Sequence, residues 1–255
     1  MLETLPLFAH TQLSEVTLWG LIIASFFTSA FTAAFGIGGG VTLLAILGMV
    51  IPVTTLIPLH GTVQLGSNAG RAWHLRKHIN WRLIGLILLG TIAGTLVGSQ
   101  IVIALPEALL QIILALFILA ITWLPIPRLV TNADSAIGVG AFIASLAGMF
   151  VGATGPLIAG LISGKIANRQ GVVATHAAAM TLSHALKIIA FGFLGFAFTN
   201  WLGLIGAMIL SGYLGTRAGS KLLHVMDETL FRKIFRVIIT ALALLMLFSG
   251  ARSIL

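Results

Sequence analysis

Two glycine-rich breaks decide the reading of this chain: Gly36-Ile37-Gly38-Gly39-Gly40 (GIGGG) and, 116 residues later, Gly152-Ala153-Thr154-Gly155-Pro156 (GATGP). Each interrupts apolar sequence, following residues 16–35 in the first case and 137–151 in the second. Inside a helix a glycine costs about 1 kcal/mol and a proline about 3 kcal/mol, so neither break is expected to continue as one straight helix. The apolar runs that follow, 41–51 and 157–166, hold only about half of the ~20 residues that cross a hydrocarbon layer. Each break therefore predicts a helix, a turn inside the bilayer and a half-helix that returns.

The same 116-residue shift lays His60 on His176, Ser67 on Ser183 and the cation Arg71 on the cation Lys187. Further along the offset grows to 120, pairing Asn80-Trp81 with Asn200-Trp201. It then reaches 121, pairing Gly94-Thr95-x-x-Gly98-Ser99 with Gly215-Thr216-x-x-Gly219-Ser220 and Glu107 with Glu228. The first copy continues with apolar runs at 54–73, 81–104 and 108–124, and the second with runs at 171–191, 201–222 and 229–249. A duplicated apolar unit carrying a polar stripe is the usual sequence form of a secondary transporter.

Composition agrees. With 58% hydrophobic and 8% charged residues and a mean hydropathy of +1.11, the chain has too little polar surface to coat a soluble particle. The 14 Lys and Arg against 6 Asp and Glu sit between apolar runs, so they read as topology signals and not as a nucleic-acid surface. Cysteine is absent, which excludes disulfides and thiolate chemistry. The first fifteen residues hold Glu3 and Glu15 but no cation, the wrong charge for a cleaved signal peptide, so the first apolar run is expected to be retained.

Charge distribution orients the copies. Arg71, Arg76, Lys77 and Arg82 surround the loop after the third run, while its counterpart at 193–200 holds no cation. Conversely, Lys165 and Arg169 follow the second half-helix, and Arg217, Lys221, Arg232, Lys233 and Arg236 surround a turn whose first-copy counterpart has none. Placing the copies antiparallel gathers these clusters and Arg128 on one side, 12 of the 14 cations, leaving Lys187 and Arg252. That side is cytoplasmic by the positive-inside rule, and both termini are expected outside. The fold expected is an all-α polytopic membrane protein of two inverted-topology repeats, 1–127 and 128–255, forming one integrated membrane domain. Each repeat holds a glycine-broken helix with its re-entrant half-helix, plus three spans.

His60, Gln64, Ser67, Asn68 and Arg71 recur at helical spacing on one face, and His176, Met180, Ser183, His184 and Lys187 repeat the stripe. Ionisable groups inside a span cost at least about 2.5 kcal/mol near the centre and face a cavity or partner. Arg71 and Lys187 are candidate anion contacts, with snorkelling towards the interface as the alternative for each. The three histidines titrate near neutrality and are candidates for proton coupling or for hydrogen bonds to an oxyanion. The breaks, with Gly36, Gly38, Gly39, Gly40, Gly152, Thr154 and Gly155, expose backbone N–H groups at half-helix N-termini, a setting suited to an anion. The substrate-binding set is therefore these seven together with His60, Gln64, Asn68, Arg71, His176, Ser183, His184 and Lys187. No metal site is expected, since His60, His176 and His184 form no HxxxH pair with one another and have no carboxylate beside them. The acids Glu3, Glu15, Glu107, Asp134, Asp227 and Glu228 lie in termini or loops, and no GxSxG or HExxH occurs, so neither an enzyme nor a cofactor is expected. Glu107 and Glu228 read as acids in the first turn of a helix.

The GIGGG break and its copy GATGP, the segments INWRLIGLILLGTIAGTLVGS and TNWLGLIGAMILSGYLGTRAGS, and the helix starts PEALLQII and DETLFRKI together resemble the TauE/SafE family of sulfite exporter-like permeases. The resemblance runs over residues 16–250. It implies a multi-pass carrier of the bacterial inner membrane for small anions such as sulfite, sulfonates or related organosulfur compounds. The resulting expectation is a secondary transporter, with proton coupling open, whose partners are a small anion and the lipid bilayer; nucleic acid is excluded and homo-oligomerisation stays open. An anion channel and a non-transporting intramembrane subunit are the alternatives.

Overall fold

A computed structural model describes residue 8 and residues 11–35, 38–125, 133–222 and 228–254. Among the described residues the chain is helical throughout and has no strand. The first half gives α1 (Glu15–Phe35), α2 (Gly39–Leu47), α3 (Val53–His74), α4 (Trp81–Val102) and α5 (Glu107–Trp123). The second gives α6 (Asp134–Val151), α7 (Gly155–Ser163), α8 (Arg169–Phe193), α9 (Leu202–Leu222) and α10 (Glu228–Arg252). The expected half-helices are present as α2 and α7, nine residues each. Gly36 and Arg128, and the boundary expected between 127 and 128, lie outside the described residues.

Both breaks turn through a glycine with positive φ, 110° at Gly38 and 72° at Gly152, where a side chain would be strained. The half-helix then starts in close contact with its own leading helix. A Cβ at Gly39 would fall on the carbonyl oxygen of Thr28 and on Thr32 Oγ1 of α1.

The halves are interleaved. α1 packs along α9 and α4 along α6, while the repeat-related pairs α3–α8 and α5–α10 pack on each other. The small-residue faces make the first two contacts close: a Cβ at Gly90 or Gly94 would fall on backbone of α6, and one at Gly215 or Gly219 on backbone of α1. Side-chain bonds follow the same seams, with Thr95 Oγ1 3.0 Å from Ser145 Oγ, Ser25 donating to Met208 O at 2.7 Å and Ser211 to Ile22 O at 2.7 Å. Direction can be read from these pairs. Gly90 opposes Gly138 and Gly98 opposes Leu146 and Met149, so α4 and α6 run parallel; Ile22 meets Ser211 and Ala30 meets Gly219, so α1 and α9 do too. By contrast α3 and α8 run antiparallel: the His60 ring lies 6.2 Å from that of His184, while Asn80, just past the end of α3, donates its N–H to Thr175 Oγ1 at 3.0 Å.

The outer faces are apolar. Phe27, Leu89, Leu96, Ile143, Leu210 and Phe248 are all more than half exposed, the arrangement of a protein whose solvent is lipid. Among the described residues five stretches are long and apolar enough to cross a membrane by length and composition: Glu15–Ala33, Trp81–Val102, Asp134–Val151, Arg169–Phe193 and Phe198–Gly219. Two other helices fall short of that description for physical reasons. α5 has 17 residues, and α3 is depleted in apolar residues by its polar stripe.

Two helix starts away from the breaks carry a side-chain cap from their own N-cap residue. Asn80 accepts from Leu83 N at 3.1 Å and Asn168 from Gly171 N, capping α4 and α8. Glu107 stands in the first turn of α5, as expected, and its carboxylate also reaches across to accept from the Val53 and Thr54 N–H groups at the start of α3.

Candidate functional site

The polar stripe of α3, the two half-helix N-termini and a face of α1 enclose a cavity of about 90 Å3. At roughly 10–15 Å3 for the first water, this is room for a small ion with part of its hydration shell. Of the sequence-predicted residues, Gly38, Gly39, Gly40, His60, Gln64, Asn68, Arg71, Gly155, His176 and His184 line it. Ser67 and Met180, members of the two stripes, line it as well.

Neither half-helix has a side-chain cap. The first intrahelical bonds run from Thr42 N to Gly38 O and from Ile158 N to Thr154 O. The N–H groups of Gly39, Gly40 and Val41, and of Gly155 and Leu157, therefore have no partner within their helices. Gly39, Gly40, Val41 and Gly155 border the cavity, so the positive ends of α2 and α7 are presented to whatever occupies it.

Each turn is held by a histidine from the central helix of its own repeat. His60 Nε2 lies 2.9 Å from Gly40 O, and His176 Nε2 lies 2.9 Å from Gly155 O. A carbonyl only accepts, so Nε2 carries the hydrogen in both rings. This leaves His60 Nδ1 buried without a partner, and the same holds for Nδ1 of His184. The imidazoles at the matched positions thus fix the half-helices to α3 and α8.

The two repeat-related cations differ. Arg71 lines the cavity, its guanidinium makes no hydrogen bond to another described residue, and it is near enough to His176 to interact with it electrostatically. Its planar fork of five N–H donors suits a bidentate contact with an oxyanion. Lys187 is 3% exposed and sits behind the second turn, where Nζ donates to Gly152 O at 2.8 Å. Gly152, Thr154 and Ser183 are likewise buried off the cavity wall. Gly36 lies outside the described residues.

One wall was missed in the sequence. Ser25, Thr28, Ser29 and Thr32 of α1 line the cavity opposite the stripe, joined by Gly212 and Met208 of α9. Their spacing of three and four residues is a helical face, a readable signal. Two of these hydroxyls spend their hydrogens on α1 itself, Thr28 on Ala24 O at 2.8 Å and Thr32 on Thr28 O at 3.1 Å, and hydroxyls of that kind pass for ordinary helix residues.

Among the described residues no cluster of three or more His, Asp or Glu is arranged to hold a metal ion. The site offers hydrogen-bond donors, partial positive charge and one guanidinium, inside a membrane protein; no carboxylate lines it. Neither a curated protein nor a solved structure shows a significant match to the chain. Residues 21–246 match the sequence model of the family described as Sulfite exporter TauE/SafE, a span covering both breaks, both stripes and the cavity. The chain belongs to the TauE/SafE family of membrane sulfite exporters.

Proposed function

We propose that this protein is a secondary transporter of a small oxyanion of the sulfite or sulfonate class, acting in the bacterial inner membrane with proton coupling. The observation that carries the reading is the opening of two uncapped half-helix N-termini onto one cavity that also contains Arg71. An anion there receives backbone N–H bonds from two helices and a charge-assisted contact from the guanidinium. Asn68, Gln64 and the α1 hydroxyls supply neutral donors that replace water around it. The antiparallel relation of α3 and α8, and the clustering of cations in one set of loops, support two repeats of inverted topology around this midplane site, with alternating access as their rocking motion. The chain has no nucleotide-binding motif, so an ion gradient or the substrate's own gradient drives flux.

The test is uptake by the purified protein in liposomes, against a panel of sulfite, short sulfonates, sulfate and carboxylates, with and without a pH gradient. Saturable uptake of sulfite or a sulfonate that responds to the pH gradient supports the reading. Conductive flux indifferent to that gradient identifies an anion channel, and absence of flux by the protein alone identifies a subunit of something larger.

A further inference from the structure

Three groups behind the second turn are not used by the anion cavity as described. Lys187 Nζ bonds to Gly152 O at 2.8 Å and makes no ion pair with a described residue. His60 Nδ1 and His184 Nδ1 are buried and unpartnered. All three converge: a Cβ placed on Gly152 would lie 3.8 Å from His60 Nδ1, and one placed on Gly61 would lie 3.5 Å from Lys187 Cδ and 3.7 Å from His184 Nδ1. The His60 and His184 rings stand 6.2 Å apart, nearly perpendicular, and both also line the cavity.

We infer that Lys187, His60 and His184 form a proton-binding site, distinct from the anion contacts, that fills and empties together with the anion. This rests on the oxyanion-transport reading and names its coupling site. The repeat-related pair explains the division of labour: the Arg71 guanidinium keeps its charge in every state, whereas a lysine amine can lose its proton. An anion in the cavity supplies the counter-charge that the buried ammonium otherwise lacks. When the anion departs, a cation buried without compensation is strongly unfavourable. The proton then leaves Lys187, its N–H bond breaking as one forms at the unpartnered Nδ1 of His184, the ring entering this step in its Nε2–H tautomer. The His184 ring, now carrying two N–H groups, releases one hydrogen ion to water in the cavity it lines. Proton and anion thus bind cooperatively and travel in the same direction. Of the other charged or titratable groups, His176 is near enough to His184 to interact with it electrostatically, and Arg71 lines the same cavity. α2 and α7 contain none, and the one in α6, Asp134, pairs with Arg82.

The experiment is calorimetry of sulfite, and of a short sulfonate, binding to the purified full chain, run in buffers of different ionisation enthalpy so that protons taken up per anion are counted. Wild type is expected to take up about one proton per anion in the neutral range. Lys187→Arg keeps a cation able to bond Gly152 O but cannot release its proton, so it is expected to bind the anion with no proton uptake. In liposomes its pH-driven accumulation should fall about tenfold or more relative to wild type. Gly61→Ala serves as a second variant, since the added methyl meets Lys187 and His184 at ordinary contact distance without displacing backbone. It should lower proton uptake while the protein remains folded. Anion binding by wild type without proton uptake, or full proton uptake by Lys187→Arg, overturns the coupling site and leaves the transport reading standing. Failure of wild type to bind any of these anions takes down both.

Discussion

His176 of α8 holds the first residue of α7 through a single bond, Nε2 to Gly155 O at 2.9 Å, across 21 positions of sequence. The contact recurs between His60 of α3 and Gly40 of α2. Two matched histidines therefore tie the start of each half-helix to α3 or α8.

Replacing either histidine by alanine removes a hydrogen bond to the first turn of a half-helix, worth about 0.5–1.5 kcal/mol net. The expected result for His176→Ala is a melting point in detergent lowered by several degrees, together with slower uptake in liposomes. His60→Ala should behave alike. Transport by both variants at the wild-type rate would show that the half-helices hold themselves in place.

Arg71 is the cavity's fixed cation. A hydrogen bond to a charged group contributes about 1.5–3 kcal/mol, so Arg71→Gln should raise the half-saturating anion concentration by roughly ten- to a hundredfold. Arg71→Lys keeps the charge and loses the fork, and should fall between the two. Concentration-dependent uptake measures both, and an unchanged half-saturation in Arg71→Gln removes the residue from the binding site.

The seams between helices are testable through glycine. Gly94→Val would press a branched side chain into the backbone of α6 at Phe142 and Leu146, and Gly215→Val would do the same to α1 at Phe26. Each should destabilise by more than about 2 kcal/mol, within the range of overpacking in close-packed interiors. Gly85→Ala, on the same helix as Gly94, meets nothing within 4 Å and should be neutral. Monodispersity in detergent as a function of temperature distinguishes the three.

Glu107→Gln should weaken the start of α3. The carboxylate receives two backbone N–H groups there, and neutralising it exchanges charge-assisted bonds for ordinary ones, a loss of about 1 kcal/mol. Hydrogen exchange at Val53 and Thr54 reads this directly, and protection equal to that of wild type would remove Glu107 as a cap.

The helical order, the two broken spans and most of the α3 stripe were legible before any coordinates, because glycine clusters and helical periodicity are local properties. Lys187 shows where locality ends. Its position on the stripe is periodic, but whether the amine bends into the cavity or back onto Gly152 depends on a turn 35 residues away. Glu107 is similar, since a carboxylate in a helix's first turn reads as serving that helix while its oxygens serve α3. The α1 hydroxyls had the right spacing, but serine and threonine bond their own helix so often that spacing alone does not set a cavity wall apart.

The interleaving of α1 with α9 and of α4 with α6 also governs how the chain is made. The face of α1 bearing Ser25 and Phe26 is complete only when residues near Met208 and Gly215 reach it, so α1 stays unfinished until α9, 183 residues further along at Met208, has emerged. α9 thus supplies the partner surface that α1 lacks while the intervening helices are being made.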